Sequence, residues 1–184
     1  MNQIARRIIY DRYRRNYCLN NYTPPQWFEC DVFELTSSGF FREYEIKQSR
    51  GDFFADAKKE KTRWDIIEQP NGYGRWTPLP NKVKHDELSR KSPLGPSRFY
   101  FVTPQDLIKP SELPPFAGLI EWTTNDGTFP WNIILKEVVK APQLHRCKFT
   151  EDRRRKLLEA CYWRYHSLSV SLKYPTDESL PVAV

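Results

Sequence analysis

Two alternating segments joined by a short turn constrain the fold more than any other feature of the sequence. Residues 27–35 and 40–48 alternate their side chains with the period of a β-strand, so that each segment has two different faces. The turn between them, residues 36–39, ends in Gly39 and is short enough to join antiparallel neighbours. The sequence therefore predicts a β-hairpin.

Charged side chains interrupt this hairpin where apolar or β-branched residues are usual. Asp31 lies on the first strand, and Glu45 and Lys47 share one face of the second. Carboxylates that converge across a hairpin repel each other unless a cation lies between them. Oxygen ligands at this density suit Mg²⁺ or Mn²⁺, and the backbone carbonyl of Ile46 would add a further oxygen. The pattern predicts a metal site.

A divalent cation held there would polarise a scissile phosphate and acidify a bound water. Lys47 would orient the attacking water or stabilise the developing negative charge. The alternative is an exposed strand face, on which Glu43, Glu45 and Lys47 form ordinary cross-strand pairs.

The other elements follow from periodicity and from turn residues. The sequence predicts helices over 3–16, from Asp52 to about Glu68, and from Thr150 onward, with strands over 98–103, 117–123 and 131–138. Residues 20–26 are predicted to be a loop, 69–97 an irregular loop insertion, and 168–184 a flexible tail. We expect one α/β domain over residues 1–167.

The chain is basic, with 29 Lys and Arg against 23 Asp and Glu and a formal net charge of +6. This favours a polyanionic partner, because cations that neutralise phosphates release counterions, although solubility alone would also explain it. No apolar run has the length of a membrane span, and the N-terminus lacks a secretory core, so we expect a cytoplasmic protein without membrane contact. The candidate phosphate contacts are Arg6, Arg7, Lys58, Lys59, Lys61, Arg153, Arg154 and Arg155.

The hairpin and its flanks resemble the PD-(D/E)XK nuclease superfamily, and most closely its MmcB-like DNA-repair group. The residues that carry the resemblance are Asp31, the run Glu45-Ile46-Lys47-Gln48-Ser49-Arg50-Gly51-Asp52-Phe53, the strand Phe99–Val102 with Pro104, and Ala117–Ile120. These motifs occur in the family's order and extend over roughly residues 27–138.

The resemblance implies a central mixed β-sheet flanked by helices, with a restriction-endonuclease-like core. It makes Asp31 and Glu45 ligands of Mg²⁺ or Mn²⁺ and Lys47 the catalytic lysine, with Glu29 as an extra carboxylate. Gln48 and Ser49 would line the edge of the site, and Ser49 and Arg50 would contact nucleic acid. Ser49, Arg50 and Asp52 have a structural alternative as a turn, a surface charge and a helix cap.

The sequence therefore predicts a Mg²⁺-dependent deoxyribonuclease that acts in DNA repair, replication or a mobile element. One alternative is a catalytically inactive module on the same fold that binds DNA or a protein. Another is an interaction factor whose basic surface meets an acidic protein. A homodimer is compatible with the nuclease hypothesis, since double-strand cuts need two sites.

Overall fold

The computed structural model describes the backbone of residues 2–68 and 74–173 and, within these ranges, the side chains outside 61–80 and 171–173. The helices are α1 (Gln3–Arg12), α2 (Arg50–Ala55), α3 (Lys84–Ser89) and α4 (Glu151–Lys173). The strands are β1 (Tyr17–Tyr22), β2 (Cys30–Leu35), β3 (Phe41–Ile46), β4 (Glu60–Glu68), β5 (Gly74–Val83), β6 (Arg98–Pro104), β7 (Ala117–Thr124) and β8 (Ile133–Val139). Short 3₁₀ turns lie at Asp56–Lys58 and Pro110–Glu112.

Six of these strands form one mixed sheet in the order β1-β2-β3-β6-β7-β8. The β1–β2, β2–β3 and β7–β8 pairs are antiparallel, whereas β3, β6 and β7 run parallel. A parallel neighbour needs a long crossover, and here α2, β4, β5 and α3 all lie between β3 and β6. The predicted α/β fold with a central mixed sheet and flanking helices is confirmed.

One face of the sheet packs against α1 through an aliphatic and tyrosine core. Asn2 caps this helix, because its side chain accepts a hydrogen bond from the Ile4 backbone N–H at 2.8 Å. The buried members of this core are Ile4, Ala5, Ile8, Val32, Tyr44, Ile46, Tyr100, Val102, Ile120, Ile133 and Ala141. Because strand side chains alternate between faces, Tyr44 and Ile46 of β3 both belong to this core.

The opposite face is built from phenylalanine rings and from buried charges. Phe99 and Phe101 pack edge to face at 4.9 Å, and Phe53 of α2 meets Phe101 at 4.8 Å. Glu43 and Glu45 of β3 point to this same face, with exposed fractions of 0% and 2%. The charged residues of β3 therefore lie in the interior of the fold.

Three predictions of secondary structure are wrong. Residues 20–26 were expected to be a loop, but β1 begins at Tyr17 and pairs along β2, even though its two asparagines are poor strand formers. The helix predicted to reach Glu68 ends at Ala55, and β4 begins at Glu60. The segment 69–97 contains β5, which pairs antiparallel with β4, and then α3.

The chain divides into two compact units, one up to Phe149 and one from Thr150 onward. The second unit contains α4, which continues to Lys173 and thus into the segment 168–184 that the sequence analysis expects to be a tail. Residues 174–184 lie outside the described part of the chain. None of the described helices has both the length and the apolar character needed to cross a bilayer.

Candidate active site

Asp31 lies at the start of β2, beside the carboxyl end of β3. Val32 pairs with Tyr44, so one further step of the antiparallel register places Asp31 across from Glu45. Its Oδ2 accepts a hydrogen bond from the backbone N–H of Ile46 at 2.8 Å. Burial, and then the nearby charge of Glu45, raise the pKa of Asp31.

Glu45 is surrounded by three lysine ammonium groups. Its Oε1 lies 2.9 Å from Lys59 Nζ and 3.2 Å from Lys47 Nζ, and its Oε2 lies 2.7 Å from Lys84 Nζ. Burial alone would raise the pKa of Glu45, but these cations outweigh it and lower that pKa. The carboxylate is therefore held in its ionised form.

Lys84 is a component of the site that the sequence analysis missed. Its side chain has an exposed fraction of 0%, and its ammonium bridges Glu43 Oε1 at 2.6 Å and Glu45 Oε2 at 2.7 Å. It also lies 5.3 Å from the centre of the Phe99 ring. Trp27 Nε1 donates to the other oxygen of Glu43 at 2.7 Å, which gives a buried chain of contacts from Trp27 to Glu45.

Lys47 faces a second group of partners on the same face of the sheet. Its Nζ lies 2.8 Å from Asp56 Oδ1 and 3.7 Å from Asp52 Oδ1, in addition to the contact with Glu45. Asp56 in turn places Oδ2 2.9 Å from His85 Nε2. Burial lowers the pKa of Lys47, but the carboxylates of Glu45 and Asp56 more than reverse this and raise it, so the ammonium stays charged.

These contacts exclude the alternative of an exposed strand face. Glu43, Glu45 and Lys47 are 0%, 2% and 6% exposed, far from the solvated pairs expected of such a face. A signal for the hidden partners was present in the sequence. Three charged residues on one face of a single strand need counter-charges once that face is buried.

A pocket of about 380 Å³ opens beside Asp31. Its lining residues are Asn2, Ala5, Asn20, Asn21, Asp31, Ile46, Gln48 and Asp52. Three residues that the sequence analysis placed at the site, Asp31, Ile46 and Gln48, thus meet at one concavity with the start of α1. Pockets of this size admit a small ligand or part of a polymeric one.

The predicted site residues that follow Gln48 make structural contacts. Ser49 caps α2, because its hydroxyl accepts from the Asp52 backbone N–H at 3.1 Å, while Asp52 occupies the first turn. Arg50 forms a two-point ion pair with Glu112 and donates to the Leu107 carbonyl. The structural alternative stated for this run therefore agrees with the contacts that Ser49 and Arg50 make.

The predicted phosphate contacts belong to several different elements of the chain. Lys58 is exposed, Lys59 contacts Glu45, and the side chain of Lys61 lies outside the described residues. Arg6 and Arg7 lie on α1, whereas Arg153, Arg154 and Arg155 belong to α4 in the second unit. Glu29 is exposed and makes no ion pair within the described ranges.

The donor set fits a hard divalent cation in its chemistry. Asp31 and Ile46 line the pocket, Glu45 is buried on the neighbouring strand, and both carboxylates and the Ile46 carbonyl are oxygen donors. Over residues 2–68 and 74–173, no group of three or more His, Cys, Asp or Glu side chains forms a ready metal cage. A cation at Glu45 Oε1 would have to replace the half-exposed Lys59 and the Lys47 ammonium as its counter-charge.

Comparison with known proteins gives information on the fold but none on the function. No family model matches the chain, and no curated protein matches it. A solved structure of a protein of unknown function from Silicibacter pomeroyi matches with a TM-score of 0.54 and 18% sequence identity, over 99% of this chain and 92% of that one. At this identity the likeness concerns the fold alone.

Proposed function

We propose that the chain is a Mg²⁺- or Mn²⁺-dependent nuclease of the PD-(D/E)XK type that hydrolyses DNA phosphodiester bonds. The observation that carries the proposal is the position of Asp31 beside the end of β3, where it accepts from the Ile46 N–H at 2.8 Å, with the Lys47 ammonium 3.2 Å from Glu45 and a pocket beside Asp31. A cytoplasmic setting and a role in DNA repair remain predictions from the sequence.

The residues would divide the chemistry between them. Asp31, Glu45 and the Ile46 carbonyl would hold the cation, which supplies Lewis-acid stabilisation of the phosphate and a more acidic water. Lys47 would hold the attacking water or stabilise negative charge on the phosphate with its ammonium. Asp56 holds that ammonium at 2.8 Å, so Lys47 is positioned before substrate arrives.

The test compares two carboxylates that line the same pocket. We would incubate single- and double-stranded DNA with Mg²⁺ or Mn²⁺ and the wild type, Asp31→Asn, Asp52→Asn or Lys47→Met. We expect Asp31→Asn and Lys47→Met to lose cleavage by at least about a hundredfold, and Asp52→Asn to retain it. Asparagine can still accept the Ile46 hydrogen bond, so Asp31→Asn should keep its fold.

A specific observation favours one other candidate, a catalytically inactive module that binds DNA or a protein partner. Both oxygens of Glu45 already face ammonium groups, and one of these, on Lys84, is fully buried. In that case no variant would change the products, and calorimetry would detect no Mn²⁺ binding by the wild type. Cleavage that EDTA abolishes and that depends on Asp31 would exclude it.

A further inference from the structure

A surface outside the pocket combines arginines with four aromatic rings, of which Tyr13 and Trp131 are exposed and Tyr10 and Phe129 are half-buried. Its members come from α1 and from the connection between β7 and β8, and we call it the arginine–aromatic surface: Arg6, Arg7, Tyr10, Tyr13, Phe129 and Trp131. The two arginines were predicted from the sequence to contact phosphate. The rings beside them were not predicted, and only the structure brings them next to the arginines.

Direct contacts organise this surface. The Arg6 guanidinium lies 4.6 Å from the Phe129 ring centre, and that of Arg7 lies 5.6 Å from the Trp131 ring. Arg7 also donates to the Pro130 carbonyl, and Tyr10 meets Trp131 edge to face at 5.8 Å. These contacts hold the Trp131 ring in place while 62% of the residue remains exposed. Trp131 thus contacts both a guanidinium and a second ring, which together give an apolar patch with positive charge beside it.

The charge around these rings is strongly positive. Arg14 and Arg15 follow α1 and are exposed, and Tyr13 between helix and arginines is 51% exposed. Asp11 is the acidic residue of the segment 6–15, and it is 3.1 Å from Arg7 Nε. Four arginines of this segment, Arg6, Arg7, Arg14 and Arg15, against one aspartate complement a polyanion, whereas the fifth, Arg12, is half-buried beside Tyr44 and Glu34.

We propose that the arginine–aromatic surface binds single-stranded nucleic acid, with a base stacked on Trp131 and the phosphates on the arginines. Stacking requires a base face, which an unpaired strand offers and an intact duplex hides within its stack. The same arginines would meet the backbone phosphates without reading sequence. The further conclusion that the pocket acts on single-stranded nucleic acid rests on the proposed function.

The position of α1 connects this surface with the pocket. Asn2 and Ala5 line the pocket, and Tyr10 contacts Trp131 five residues after Ala5. At a rise of 1.5 Å per residue this is about 8 Å along the helix. That distance corresponds to about two stacked nucleotides, at about 3.4 Å for each. The surface and the pocket therefore share α1, and the residues that mark them are separated by about 8 Å along its axis.

The chain offers a matched control for the test. Trp131 and Trp163 are both 62% exposed, and Trp163 lies on α4 in the other compact unit. We would measure binding of fluorescent oligo-dT and oligo-rU in EDTA, so that cleavage does not enter, for the wild type, Trp131→Ala, Trp131→Phe and Trp163→Ala. We expect Trp131→Ala to weaken binding about 5- to 150-fold, Trp131→Phe to restore most of it, and Trp163→Ala to bind as the wild type does.

Further measurements separate nucleic-acid binding at this surface from the proposed nuclease activity and from binding of other partners there. A binding defect of Trp131→Ala in a protein that never cleaves DNA would support the surface while the nuclease proposal fails. Duplex binding as tight as single-strand binding, or equal losses for Trp131→Ala and Trp163→Ala, would overturn the inference. Self-association in sedimentation that Trp131→Ala abolishes, without any oligonucleotide binding, would assign the surface to a second copy instead.

Discussion

At Lys84 the fold places a cation where water cannot reach it. Two buried carboxylates, Glu43 and Glu45, lie within 2.7 Å of its ammonium. Removing one partner of a buried ion pair leaves uncompensated charge in a medium of low polarity, which costs about 3–5 kcal/mol. We therefore expect Lys84→Met to lower the free energy of unfolding by about that amount in urea denaturation.

Lys59 provides the comparison, because it contacts the same carboxylate from a partly solvated position. Its side chain is 36% exposed, so solvent screens its ion pair with Glu45. Lys59→Met should lower the free energy of unfolding by less than about 1 kcal/mol. Equal effects of the two substitutions would mean that burial does not decide the strength of these pairs.

Asp56 allows a prediction about pH. Burial raises the pKa of this carboxyl group, but the hydrogen bond with His85 and the charges of Lys84 and Lys47 outweigh burial and hold the pKa well below its ordinary value. A depressed carboxyl pKa stabilises the fold above the ordinary aspartate value of about 3.9, and that stability is lost as the pH falls through the folded value. Asp56→Asn should be less stable than the wild type by about 1–3 kcal/mol at pH 7. Denaturation at a series of pH values should show the difference narrowing below about pH 4, and a constant difference would contradict this origin.

The predicted and the missed residues of the site differ in how far apart they lie along the chain. Asp31, Glu45 and Lys47 could be predicted together because strand period and a short turn determine their relative positions locally. Lys84 lies 39 residues from Glu45 along the chain, so a tertiary contact brings them together. The strand pattern shows that a counter-charge is needed, but no local pattern identifies Lys84 as its source.

At the scale of single elements, Gly118 and Gly51 differ in the space that surrounds them. A Cβ on Gly118 in β7 would lie 2.5 Å from the Ala141 backbone nitrogen and 2.7 Å from the Tyr100 ring. Gly51 lies in α2, and the nearest atom to its Cβ would be Ser49 Oγ at 3.9 Å. There is therefore no space for a methyl group at Gly118 in β7, whereas there is space for one at Gly51 in α2.

This contrast predicts opposite signs for the same substitution. Gly118→Ala should lower the free energy of unfolding by about 1–3 kcal/mol, because overpacking displaces backbone. Gly51→Ala should raise it by about 0.5–1 kcal/mol, because alanine loses less conformational entropy in a helix. Thermal unfolding of the two variants beside the wild type would test both, and a stabilising Gly118→Ala would show that β7 can move away from its neighbours.

The elements also show where sequence patterns are informative. The hairpin of β2 and β3, the buried β6 and the pair β7–β8 were predicted because alternation or a short apolar run marks each of them. In contrast, β1 was missed because Asn20 and Asn21 resemble a turn. The helix expected up to Glu68 failed because β4 is stabilised by pairing with β5, and pairing partners are not visible in a single segment.

For the whole molecule, the distribution of the +6 net charge matters more than its total. If single-stranded nucleic acid binds the arginine–aromatic surface, Arg6 and Arg7 together with the exposed Arg14 and Arg15 would neutralise about four phosphates. Each phosphate contact on a single strand contributes about −0.7 to the slope of log affinity against log salt concentration, so the wild type should show a slope of about −3.

Two double variants that each remove two positive charges test whether the arginines beside α1 contact the phosphates. Arg14→Gln with Arg15→Gln should reduce the slope to about −1.4, because two phosphate contacts are lost. Lys109→Gln with Lys140→Gln removes the same charge from exposed positions outside α1 and should leave the slope near −3. Titrations of oligo-dT binding over a range of salt concentrations would measure all three slopes. Equal slopes for the two double variants would show that overall charge, rather than the surface on α1, attracts the strand.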